Sequence, residues 1–131
     1  MDVANNKLDE EVCRDARAFV DIFYDTMDRK RDKIGFLYSE QPNLVWNGNP
    51  FQGHDSIRSY LQSLPETQHN LTSVDAQKLP GGAGLSESAI LVTVAGETIL
   101  GADQHAFSQT FVLICQDAKY KINSDRFRYL D

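Results

Sequence analysis

The apolar residues of this sequence change their period partway along, and that change limits the fold more than any other feature. Leu8, Val12, Ala16, Phe19, Val20, Phe23 and Met27 recur at spacings of three and four, one stripe along a long amphipathic helix. Ile57, Tyr60, Leu61 and Leu64 repeat that spacing over a shorter stretch, which Pro65 ends. From Asn70 onward the texture is that of strands: 72–78, 105–116 and 120–129 alternate, and 88–95 is β-rich. Helices first and hairpin-linked strands afterwards predict an α+β fold with the helices on one face of an antiparallel sheet. Such a sheet curves into a cone around the long N-terminal helix, leaving its outer face to water or to a partner. With 131 residues the chain fits one domain, 1–131, and it contains no repeat, low-complexity tract or linker.

Local signals fill in this outline. Asp9, Arg14, Arg17, Asp21, Asp25 and Asp28 fall opposite the apolar stripe of the first helix, its solvated side. Asp9, Glu10 and Glu11 lead and Arg29, Lys30 and Arg31 close, the order the helix dipole favours. The basic triplet reads as a solvated helix end, too short for a nuclear localisation or RNA-binding patch. Gly35 breaks the pattern, and Phe36-Leu37-Tyr38 is expected to be a short apolar turn that plugs a core. Leu44-Val45-Trp46 followed by Asn47-Gly48 predicts a tight hairpin returning through Phe51-Gln52-Gly53, because Asn-Gly readily takes positive φ. Pro80-Gly81-Gly82-Ala83-Gly84 is expected to be a flexible connection, and 96–104 a hairpin loop.

Charge and composition exclude several functions. Nineteen acidic against thirteen basic residues give a net charge of −6, and an acidic body repels phosphate backbones, so direct nucleic-acid binding is not expected. No apolar run approaches the roughly 20 residues that span a bilayer, and the first residues lack signal or transit character, so a cytosolic or nuclear protein is expected. Cys13 and Cys115 lie in apolar-patterned segments without a CxxC pair and read as buried free thiols.

A search for chemistry finds little. His54, His69 and His105 fall in three separate segments, which argues against a metal site. The 80–84 glycine run lacks the Lys-Ser/Thr of a phosphate loop, and no Ser lies in a GxSxG elbow. A pocket between helix and sheet could use Tyr24 or Tyr60 as hydrogen-bond donors and Asp103 as a base, the arrangement of cone-fold isomerases and dehydratases. The inward positions are nevertheless dominated by Phe19, Phe23, Ile57 and Leu61, and no catalytic residue or cofactor is assigned. Trp46 reads as a core residue at the mouth of a hairpin, with a binding hot spot as the alternative.

Alternation marks one face more specifically. Along 120–130, Phe127 and Tyr129 point one way and Arg126 and Arg128 the other. Along 72–78, Val74 and Ala76 oppose Ser73, Asp75 and Gln77. An antiparallel sheet needs one core face, so Arg126, Arg128, Asp75 and Gln77 are expected on the open one, where mixed charge suits a registered protein interface.

Several segments resemble one family. Cys13-Arg14, Phe19-Val20, Phe23 to Asp28, Leu44 to Asn49, Phe107 to Leu113 and Lys121 to Asp131 are similar, nearly end to end and in order, to the export branch of the nuclear transport factor 2-like family. The Trp46 segment and the Ser-Asp-x-Phe-Arg strand are the most specific pieces. The resemblance implies a non-enzymatic adaptor that forms a heterodimer with the similar domain of a TAP-type mRNA export receptor. It implies a protein that shuttles between nucleus and cytoplasm and meets Phe-Gly-repeat nucleoporins through that heterodimer, with no cofactor. By analogy, Arg128 and Asp75 match positions of charged contact across the interface, and Gln109 matches an interface segment. The loops 79–87 and 96–104 depart from the family pattern, and the sequence stops at Asp131 without a short Trp-containing tail. The rival within the family is nuclear transport factor 2 proper, a homodimeric carrier of GDP-bound Ran.

Overall fold

The structure is a computed structural model, and it describes residues 3–79 and 89–131, with side chains from Asp9 onward. Helix α1 (Val3–Arg29) leads through a 3-10 helix (Arg31–Leu37) into β1 (Tyr38–Trp46) and β2 (Asn49–Gln52). Helix α2 (His54–Ser63) follows, then β3 (Thr67–Lys78), β4 (Ile90–Leu100), β5 (Asp103–Gln116) and β6 (Lys119–Tyr129). The six strands form one sheet in the order β2-β1-β6-β5-β4-β3. This is the expected α+β arrangement with one correction: β1 runs parallel to β6, so the sheet is mixed rather than wholly antiparallel. A pairing between the first strand and the last leaves no hairpin signal in the sequence.

The core lies between the helices and the concave face of the sheet. The α1 stripe is buried at Ala16, Phe19, Val20, Phe23 and Met27, and the Phe19 and Phe23 rings meet Phe111 of β5 edge-on. Burying an aromatic ring of this size contributes on the order of 2–3 kcal/mol. Asn47 and Gly48 take positive φ of 48° and 86° at the β1–β2 turn, as the Asn-Gly pair requires. Trp46 is a core residue, 5% exposed and stacked on Phe127 at 3.9 Å.

Two strands are longer than alternation suggests, for one shared reason. β3 begins at Thr67 and carries a bulge between Leu71 and Ser73, so its inward residues change from Thr67, His69 and Leu71 to Val74 and Ala76. Opposite the bulge stands Gly96, where a Cβ would lie 2.2 Å from the Asn70 carbonyl oxygen. That glycine reads as a loop in sequence, yet β4 runs through it to Leu100, and the loop expected over 96–104 shrinks to a tight turn at Gly101 and Ala102.

Other expectations are revised locally. Asp9, Glu10 and Glu11 do not head α1, which begins at Val3, so its first turn holds no acid to complement the dipole. Asp28 is turned toward β3 rather than solvent. Arg31 is no solvated helix end: its guanidinium donates to the carbonyls of Leu61, Leu64 and Pro65 and ties the ends of α1 and α2 together. Phe36 is 73% exposed, so within the 36–38 turn it is Tyr38 that enters the core. Cys13 is exposed and Cys115 half-buried, so neither thiol is the fully buried one expected. The side chain of Leu8, the 80–84 connection and Ser88 at the expected start of a strand lie outside the described residues.

Candidate interaction surface

Among the described residues no helix lies against the convex face of the sheet, and strand register defines what it displays. Asp75, Thr93, Thr110, Arg126 and Val45 form one cross-strand row from β3 to β1. Ser73, Ala95, Ser108 and Arg128 form the next row, and Gln77, Leu91, Val112, Ser124 and Asn43 the one on the other side. Asp75, Ser73 and Gln77 stand on the edge strand β3 and Arg126 and Arg128 on the inner strand β6, with short or apolar residues of β4 and β5 between them. Asp75 and Arg126 are three strand spacings apart, about 14 Å, too far to pair with each other. Arg126 and Arg128 are exposed and form no ion pair among the described residues.

Four of the five residues singled out in the sequence therefore share this face: Arg126, Arg128, Asp75 and Gln77, all exposed. Gln109 does not. It is 2% exposed and points into the concave core, where alternation with Phe107 and Phe111 puts it, so its side chain is not available to the convex face.

Gln109 belongs instead to a buried polar chain. Tyr24 Oη donates to Gln109 Oε1 at 2.7 Å, Gln109 Nε2 donates to Asp125 Oδ1 at 2.8 Å, and Tyr38 Oη donates to Asp125 Oδ2 at 2.7 Å. The chain joins α1, β5, β6 and β1. Burial raises the Asp125 carboxyl to about 6, against the stabilising hydrogen bonds from Gln109 and Tyr38. Burial, and then the nearby Asp125 charge, raise both tyrosine hydroxyls. Asp125 was not singled out in the sequence, although its position two residues before Phe127 already places it on the inner face.

The donors and base considered for a catalytic pocket are not brought together. Tyr24 is committed to Gln109, Tyr60 is stacked against Phe51 at 4.2 Å, and Asp103 is exposed at the β4–β5 turn. At the rim of the cone Asp28 accepts from Thr67 Oγ1 at 2.7 Å and from the His69 backbone N–H at 3.0 Å, and its Oδ1 lies 2.7 Å from His69 Nδ1. These contacts pin α1 to the start of β3. Among the described residues no group of three or more His, Cys, Asp or Glu could hold a metal ion, and no helix is long and apolar enough to cross a membrane.

Comparison with known proteins places this geometry. The nuclear transport factor 2 (NTF2) domain family matches residues 15–129. An NTF2-related export protein of Caenorhabditis elegans is 52% identical over 128 residues, covering 96% of this chain and 93% of the relative. The solved nuclear transport factor 2 of Cryptosporidium parvum superposes with a TM-score of 0.80 at 28% identity, covering 91% of this chain and 94% of the other. The C. albicans Mtr2-Mex67 M domain complex shares the fold at a TM-score of 0.71 and 14% identity, covering 92% of this chain and 96% of the matched one. The resemblance read from the Trp46 and Arg128 segments is thereby borne out: this chain belongs to the NTF2 domain family.

Proposed function

We propose that this chain is a non-enzymatic nuclear export adaptor that lays its convex sheet face against the NTF2-like domain of a large mRNA export receptor. The observation that carries the reading is that Arg126 and Arg128 on the inner strand β6 and Asp75 and Gln77 on the edge strand β3 share the sheet face that no described helix covers, with short and apolar side chains of β4 and β5 between them. An interface of this kind needs small groups that desolvate readily and charges that fix its register. The name of the C. elegans relative supports export, and the Mtr2-Mex67 M domain complex supports a partner bound to this fold. The heterodimer, rather than this chain alone, then meets Phe-Gly-repeat nucleoporins, and the protein passes between nucleus and cytoplasm. Likeness to nuclear transport factor 2 itself supports a second reading, a homodimeric carrier of GDP-bound Ran. Affinity capture with mass spectrometry decides: a stoichiometric large export receptor supports the adaptor, and Ran without such a receptor supports the carrier.

A further inference from the structure

The convex face is not uniformly shallow. Between Arg126 and Arg128 on β6, Ser108 and Thr110 on β5, and Val45 and Asn47 at the end of β1, it sinks into a depression of about 520 Å³. The depression exists because Ser108 and Thr110 are short beside the long Arg128 and Arg126 paired with them across the strands. Its rim carries two guanidiniums on alternate residues of one strand, about 7 Å apart along the backbone. Neither has a carboxylate partner among the described residues, and the protein around them is acidic, with a net charge of −6. Two unpaired cations beside a cleft of hydroxyls and a backbone turn match one kind of visitor, an anion with several acceptor lone pairs.

We infer that the depression is a two-arginine clamp for a single acidic side chain of a partner protein, held by Arg126 and Arg128 together. This rests on the convex face being the partner surface, and it assigns Arg126 a role equal to that of Arg128. A planar carboxylate offers two oxygens and about four acceptor sites, and each guanidinium presents a fork of donors, so both arginines can engage one group without competing. Ser108 and Thr110 leave space for the acid's methylenes and add hydroxyl donors beneath it. The carboxylate also relieves the repulsion between two like charges held on one strand. A phosphate-rich polymer is a poorer fit, because the surrounding acidic body repels extended polyanions while a lone carboxylate meets only the local positive spot.

The clamp is tested on the full chain with glutarate as the probe, following the Arg126 and Arg128 Nε–H signals by NMR. The expected result is a saturable shift of both signals with one shared midpoint, and loss of the Arg128 shift in Arg126→Ala. Shifts that grow without saturation, or an Arg128 response untouched by Arg126→Ala, overturn the clamp. Titration against the NTF2-like domain of the mRNA export receptor adds a second readout, in which Arg126→Ala is expected to weaken binding about tenfold or more with an unchanged melting temperature. An effect within twofold overturns the clamp and leaves the proposed function standing. Absence of wild-type binding to the receptor removes that function, while a shared saturable glutarate response still supports the clamp.

Discussion

Tyr38 and Asp125 lie 2.7 Å apart in the fully buried core, a phenol on β1 donating to a carboxylate on the neighbouring parallel strand β6. Asp125 is the residue through which the parallel pairing and the α1–β5 contact meet, since Gln109 bonds its other oxygen and Tyr24 bonds Gln109. Among the described residues no cation pairs with its charge, and burial makes the folded protein prefer the protonated acid more than the unfolded chain does.

A pH dependence with a definite sign follows. The folded carboxyl titrates at about 6 and its ordinary value is 3.8. The native state therefore holds more protons between those values, and this group's contribution to stability is full below the lower value and lost as pH rises through the upper one. At 1.36 kcal/mol per unit, the loss is on the order of 3 kcal/mol. Asn at this site carries no charge to desolvate. The advantage of Asp125→Asn over the parent in urea unfolding should therefore be about 2 kcal/mol greater at pH 7.5 than at pH 4.5. An advantage that does not change with pH would mean that the carboxyl is solvated in the native state.

Gly96 is required by the bulge opposite it, not by its own turn propensity. A methyl group there meets the Asn70 carbonyl oxygen at 2.2 Å and the Leu71 Cα at 2.9 Å, both backbone atoms that cannot rotate away. Gly96→Ala should cost about 1–3 kcal/mol in chemical denaturation, the range of an overpacked core. Gly48→Ala, where the Cβ has open space but φ is 86°, should cost less, about 1 kcal/mol.

Arg31 closes the junction of three elements. Its Nε donates to Met27 O at 3.0 Å, Nη1 to Leu61 O at 3.1 Å and Leu64 O at 2.7 Å, and Nη2 to Pro65 O at 2.7 Å. These carbonyls lie at or just beyond the C-terminal ends of α1 and α2, where C=O groups run short of intrahelical N–H donors. Arg31→Met keeps the aliphatic stem and removes the donors, and should lower stability by about 2–4 kcal/mol. Hydrogen exchange should rise first at the α2 C-terminus, ahead of the β5–β6 core.

How much of this was legible in the sequence depended on whether alternation ran unbroken. Phe127 and Tyr129 fixed the faces of β6 near its end, and Val74 and Ala76 those of β3, so Arg126, Arg128, Asp75 and Gln77 were assigned to one side correctly. The first half of β3 was missed because the bulge at 71–73 reverses its phase. The parallel β1–β6 pairing was invisible because it is made far apart in sequence and carries no turn signature. Gln109 differs for another reason: the resemblance implies an interface position, whereas alternation with Phe107 and Phe111 puts its side chain in the core. The same rule places Asp125, two residues before Phe127, on the inner face.

Phe127, 2% exposed and stacked on Trp46, and its exposed neighbour Arg128 lie on opposite faces of the sheet, which separates folding from binding. Phe127→Ala should cost about 3–5 kcal/mol of folding stability. Arg128→Glu should leave the circular dichroism spectrum and melting temperature unchanged, because its side chain touches no core. The most direct test is calorimetric titration of Arg128→Glu against the NTF2-like domain of the mRNA export receptor, beside the parent chain. The predicted result is a loss of about 2–5 kcal/mol in binding, roughly thirty-fold to several thousand-fold, recovered in part by an acid-to-Arg change in the partner. Equal affinity of the folded variant and the parent would contradict the convex face as the interface.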